Sequence, residues 1–294
     1  MRQGNGLLQL VLQAEDPFAF AQKLIENWGA VRMLGEGRIT LAELEEALQH
    51  IETRKNPYPP TRANQPFSIP KDYVSTKGEE LARRLQIARP GIDISHLDQL
   101  IASCQVPEDA DGVYAVPKVS YEAKRLGFTL ESAQASFGLL IGQACEALMA
   151  KVYEGVRLGP DRVKVVEKTW SSLMQLEQKQ PGDVIVFPAQ TGTLYAGRRS
   201  DWARWQMEHA SAPSQWPLSP YEVAWMLVGN RHRFERFSLH IDCPGVRYDF
   251  SGDARFGDTL GVSIHNDERL ILAPVIADSG PYASTGGASG FFQQ

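Results

Sequence analysis

The sequence predicts an α+β protein, with a helical N-terminal half and a C-terminal half that mixes helices with an antiparallel sheet. Three observations carry the prediction. Helix start signals recur through the first half. A long stretch at 129–156, apolar and rich in small residues, reads as a central buried helix. Short apolar and β-branched runs separated by turn residues fill positions 237–275.

The elements follow in chain order. Asp16-Pro17 offers an N-cap and a first-turn proline. Thr40 with Glu43, and Thr76 with Glu79, have capping-box spacing. Ser95 with Asp98 opens a helix that runs through Cys104. Residues 1–53 are read as a helical region and 76–110 as a second one. Between them, 54–75 carries Pro57, Pro59, Pro60, Pro66 and Pro70, which forbid a regular helix. Tyr58, Phe67, Ile69 and Tyr73 in that stretch suit a linker or, better, a strap laid over a surface. Residues 111–279 are read as an α+β domain, beginning with a short strand near 111–123. Positions 180–197 read as two short strands and 198–210 as a helix. Ser219-Pro220-Tyr221-Glu222 combines an N-cap, a first-turn proline and a capping box, the clearest helix start in the chain. Residues 280–294 are rich in Gly and Ser, and are read as an arm tipped by Phe291 and Phe292.

Composition narrows the class. With 294 residues, 43% of them hydrophobic, the chain can bury a core of ordinary size. A net charge of -5 weighs against nucleic acid as a partner. The 3 cysteines, Cys104, Cys145 and Cys243, are odd in number and widely separated, which favours a reducing, cytoplasmic setting over a disulfide framework. No apolar run approaches the roughly 18 residues of a membrane span.

The stretch FSLHIDCPGVRYDF, 237–250, places His240, Asp242 and Cys243 within four positions. Read as a hairpin turning at Pro244-Gly245, it sorts by parity into two faces. Cys243 would face Val246, Ile241 would face Tyr248 and Leu239 would face Phe250. On the opposite, polar face Asp242 would meet Arg247 and His240 would meet Asp249. That arrangement accounts for the segment without catalysis, with the polar face on water. It also separates Cys243 from His240, which argues against a thiol–imidazole pair.

Other chemistry is weaker. Asp249, Ser251 and Asp253 have 1-3-5 spacing for calcium, but Ala254 and Leu260 stand where the loop needs Gly and Glu. PGDVIVF, 181–187, resembles the strand that follows the cysteine-bearing helix in NlpC/P60-like cysteine peptidases, with Cys145 on a preceding helix. The next strand, GTLYAG, has no His to act as base, so membership is not inferred. Phosphate-binding, dinucleotide, zincin and nucleophile-elbow motifs are missing, and neither a cofactor nor a metal is expected.

One concentration remains. Trp202, Trp205, Trp216 and Trp225 crowd together with Arg198, Arg199, Arg204, Arg231, Arg233 and Arg236. Trp and Arg are favoured at interface hot spots and stack on bases or sugars. The alternative is a tryptophan core with solvated arginines.

The expectation is therefore a non-enzymatic interaction or assembly component with a protein partner or self-association. Its contacts would involve Trp202, Trp205, Trp216, Arg198, Arg199, Arg204 and Arg233, and its ends Phe291 and Phe292. Two alternatives stand beside it. One is a hydrolase or transferase using His240, Asp242 and Asp249; the other is a carbohydrate- or nucleotide-binding module on the Trp/Arg cluster.

Overall fold

A computed structural model describes residues 78–209, 215–230, 240–253, 256–264, 270–275 and 285–292. The chain divides into two units, Met1–Tyr58 and Pro59–Gln294, and every described residue belongs to the second. The boundary falls within the Pro-rich stretch 54–75. The helices expected over 1–53, the strap, the Thr76 cap, and Arg231, Arg233 and Arg236 lie outside the described residues.

The described part is α+β. Its helices are α1 (Gly78–Ala88), α2 (Leu97–Ser103), α3 (Val119–Arg125), α4 (Leu130–Ala135), α5 (Phe137–Leu148), α6 (Glu167–Lys179), α7 (Ser200–His209) and α8 (Pro220–Gly229). Its strands are β1 (Gly112–Pro117), β2 (Lys151–Val152), β3 (Val163–Val165), β4 (Val184–Ala196), β5 (Gln215–Pro217), β6 (His240–Tyr248), β7 (Asp258–Ile264), β8 (Leu270–Val275) and β9 (Thr285–Phe291). All nine strands join one sheet in the order β1-β4-β9-β6-β7-β8-β2, with β3 paired to β6 and β5 to β9. The sheet is mixed rather than antiparallel, because β6 runs parallel to β9 and β2 parallel to β8.

Alternation along β6 sets the two layers. Ile241 and Cys243 point into the main core, alongside Leu140, Ile141 and Cys145 of α5 and Val223, Trp225 and Leu227 of α8. Asp242 points the other way and meets Ser200, the first residue of α7. Helix α8 is buried from Pro220 to Leu227 and is apolar on nearly every side, as a central helix must be. The capping box expected at its start is present, with Ser219 and Glu222 in reciprocal contact. The long apolar stretch divides into α4 and α5 at Ser136 rather than forming one helix.

A buried ion network fastens this layer. Glu122 of α3 is fully buried and accepts from Arg89 at 2.6 Å and Arg125 at 3.0 Å. The Arg89 guanidinium also lies 4.7 Å from the centroid of the Trp225 ring.

Candidate functional site

The hairpin expected at 237–250 does not form. Its first residues, 237–239, lie outside the described set, and 240–248 form one continuous strand, β6, that passes straight through Pro244-Gly245. A bulge replaces the turn, since the register with β7 slips between Cys243 and Tyr248. Its carbonyls are satisfied from outside the ladder. Arg204 of α7 donates to the carbonyl oxygens of Pro244 (2.7 Å) and Val246 (2.9 Å), and the Thr259 hydroxyl donates to that of Cys243 (2.6 Å). Gly245 is required by proximity: a Cβ there would sit 2.6 Å from the Leu218 carbonyl carbon and the Ser219 nitrogen.

The expected cross-strand pairs dissolve with the hairpin. His240 opens β6 and Asp249 follows its last residue, so the two lie at opposite ends of one strand and do not face each other across a turn. Arg247 sits opposite Lys164 of β3, not opposite Asp242. Nor does the polar face look onto water. Asp242 is 3% exposed, and its Oδ2 accepts the Ser200 hydroxyl at 2.8 Å. Burial pushes its carboxyl up to about 6. Across the sheet it stands between Gly287 of β9 and Gly261 of β7, and Val275 of β8 packs over Gly261. His240, two residues along the same face, is half-buried.

Asp249 is buried in a turn just after β6. Its Oδ1 accepts the Gly252 amide at 2.8 Å, and the Ser251 hydroxyl lies 2.7 Å from Asp253 and 3.2 Å from Asp249. Arg162 donates to the Asp249 carbonyl at 3.2 Å, which sets a cation on the loop whose spacing suggested calcium. Among the described residues, no three His, Cys, Asp or Glu side chains are grouped to hold a metal ion.

Two of the cysteines, Cys145 and Cys243, are not poised as nucleophiles. Cys145 and Cys243 are buried, and burial pushes the Cys145 thiol up to about 12 and that of Cys243 well above its ordinary value.

The Trp/Arg cluster splits. Trp216 and Trp225 are fully buried in the core, and Arg204 and Trp205 are buried residues of α7 itself. Trp216 packs 5.1 Å from the Phe187 ring and 4.8 Å from that of Phe292. Only Trp202, half-buried, stays near the surface, with the Arg198 guanidinium 4.8 Å over its ring. Arg199 pairs with Asp201 at 2.6 Å.

The expected arm 280–294 is a second correction. Residues 285–291 form β9, a central strand held by β4 on one side and β6 on the other. Phe291 is buried, and Phe292 rests on Trp216, so both phenylalanines cover the protein's own core rather than reaching outward.

What sequence reasoning missed is an aromatic pair at the far end of the sheet. Tyr153 is 51% exposed and Phe250 is 44% exposed, and their rings flank Gly155. Met149, the left-handed cap of α5, is 75% exposed four residues before Tyr153. Tyr153 directly follows β2, the last strand in the sheet order. No local signal joins these residues, because the sheet topology alone brings 149–155 beside 250.

Comparison with protein families, with curated proteins and with solved structures finds no match for this chain. Among the described residues no helix is long and apolar enough to cross a membrane.

Proposed function

We propose that this protein is a non-enzymatic interaction or assembly component that associates with a second copy of itself through the end of the sheet formed by β2, Tyr153 and Phe250. The observation that supports the reading is the exposure of Tyr153 and Phe250 together, around Gly155, beside a strand that has one neighbour among the described residues. Large aromatics left in water next to unpaired strand groups favour association, and an edge strand adds readily to its own copy about a two-fold axis. Basic and acidic residues alternate around the pair (Lys151, Glu154, Arg157, Asp161, Arg162), a pattern that can complement itself. A cytoplasmic setting accords with three free cysteines and no disulfide among them.

A hydrolase or transferase on His240, Asp242 and Asp249 has less support, since Asp242 and Asp249 are buried in internal hydrogen bonds at separate ends of β6. The binding-module reading is reduced to Trp202 and Arg198, whose stacking already covers one ring face.

Light scattering across a range of concentrations tests the proposal. The wild-type chain should gain mass with concentration, and the Tyr153→Ser/Phe250→Ser double variant should remain monomeric. A wild-type chain that is monomeric at every concentration sinks it, as does equal association of both.

A further inference from the structure

Strand β6 is flanked by two buried acid–serine pairs, one on each face. On the α7 face, Asp242 accepts from the Ser200 hydroxyl at 2.8 Å. On the α8 face, Glu222 Oε2 accepts the Ser219 backbone N–H at 3.1 Å and contacts the Ser219 hydroxyl. Its other oxygen, Oε1, is fully buried and has no hydrogen-bond partner among the described residues.

Neither acid has a cation beside it among the described residues. Around Asp242, β7, β8 and β9 present Gly261, Val275 and Gly287. On α7, Asp201 pairs with Arg199, and Arg204 donates to the Pro244 and Val246 carbonyls; on the strand itself the titratable neighbours are His240 and the Cys243 thiol, which burial and Asp242 push up. Around Glu222, the titratable groups are the Cys243 thiol of β6 and the Tyr221 phenol of α8, both held neutral by burial, with Cys145 of α5 acting on Cys243. Tyr221 also feels Glu122 and Glu177. The charged side chains of the elements packed on α8 have other partners. Arg84 of α1 holds Glu80 and the Gly229 carbonyl, and Arg89 holds Glu122. Glu146 of α5 accepts from Gln143, and Asp258 opens β7.

The hydrogen bonds that each carboxyl accepts favour its ionised form, but with no opposite charge beside it the hydration lost on burial outweighs them, so the neutral acid is the form these surroundings hold. We propose that the two pairs form a proton-held clamp, in which neutral Asp242 fastens α7 and neutral Glu222 fastens the start of α8 against β6, and ionisation of either acid loosens its helix. Burial acts on both in the same direction, to about 6 for Asp242 and about 7 for Glu222. With folded values above the unfolded ones, the clamp's stabilisation is complete below about pH 4. It fades as pH rises through 6 and 7 and changes no further above that.

The test is urea unfolding of the full chain at pH 5 and pH 8 for wild type, Asp242→Asn and Glu222→Gln. Amide exchange over Ser200–His209 and Pro220–Gly229 is followed alongside, corrected for intrinsic pH effects. The wild-type folding constant should fall about tenfold or more per carboxyl across that range relative to the matching amide variant. Exchange should quicken in α7 and α8 at pH 8, and each variant should abolish the response in its own helix. Identical pH dependence in wild type and both variants overturns the clamp. Should a variant fail to fold, carboxyl ¹³C NMR on the wild type decides. Midpoints near 6 and 7 sustain the clamp, and midpoints at or below ordinary carboxyl values overturn it.

Discussion

Lys118 and Glu177 cap each other's helices. The Lys118 ammonium donates to the carbonyl oxygens of Glu177 (3.1 Å) and Gln180 (2.5 Å) at the C-terminal end of α6. The Glu177 carboxylate accepts the amides of Val119 (2.5 Å) and Ser120 (3.3 Å) at the N-terminal end of α3. Each charge faces the helix end whose partial charge it offsets, and each satisfies groups that have no partner within their own helix. Because Lys118 is 8% exposed, solvent cannot replace it. Lys118→Met and Glu177→Gln should each cost about 1–3 kcal/mol in urea unfolding. The double variant should fall short of their sum by about 0.5–3 kcal/mol. Strict additivity would mean that the two caps act independently.

The glycines of β9 have a steric role that can be measured. A Cβ on Gly290 would enter the Trp216 indole, and one on Gly286 would enter the Gly192 carbonyl of β4. Gly290→Ala should therefore destabilise by about 1–3 kcal/mol and shift the fluorescence of the buried Trp216. Gly257→Ala, where a Cβ meets nothing within 4 Å, serves as the control and should stay within about 0.5 kcal/mol of wild type. Equal effects at the two positions would refute the packing account.

The same glycines show where reading the sequence stops. A Gly/Ser-rich segment at a chain end has the composition of a mobile arm, and nothing local says that β4 and β6 will close around it. Pro244-Gly245 has turn chemistry, yet here the glycine admits the Leu218–Ser219 backbone and the proline, lacking an N–H, tolerates a bulge. Both misreadings arise because a distant element decides what a small residue is for. Where the determinant is local, the sequence sufficed. The capping box at Ser219 and Glu222 formed as expected, and the strand-forming runs expected within 237–275 include β7 and β8. Parity also separated Ile241 and Cys243 from Asp242 correctly. It could not tell that α7 would cover the polar face, since that depends on a helix forty residues away.

Arg204 offers the most direct test of the bulge. The residue is 6% exposed, and its guanidinium reaches two carbonyl oxygens, of Pro244 and Val246, that straddle Gly245. Two donors in a planar fork match two acceptors held at fixed separation, a geometry that a lysine ammonium cannot reproduce. Arg204→Met keeps much of the side-chain volume while leaving both carbonyls without that donor, at a cost of about 1–3 kcal/mol for each group left unsatisfied. Thr259 still reaches the Val246 oxygen at 3.1 Å, so the loss should fall mainly on Pro244. Arg204→Lys should recover less than half of the stability lost in Arg204→Met, read by urea unfolding. Amide exchange should rise first at Gly245, whose N–H bonds the Leu218 carbonyl at 2.8 Å, and at Val166, whose N–H bonds the Gly245 carbonyl at 2.9 Å. Full recovery by lysine would show that charge alone, and not the fork, holds β6 in its bulged form.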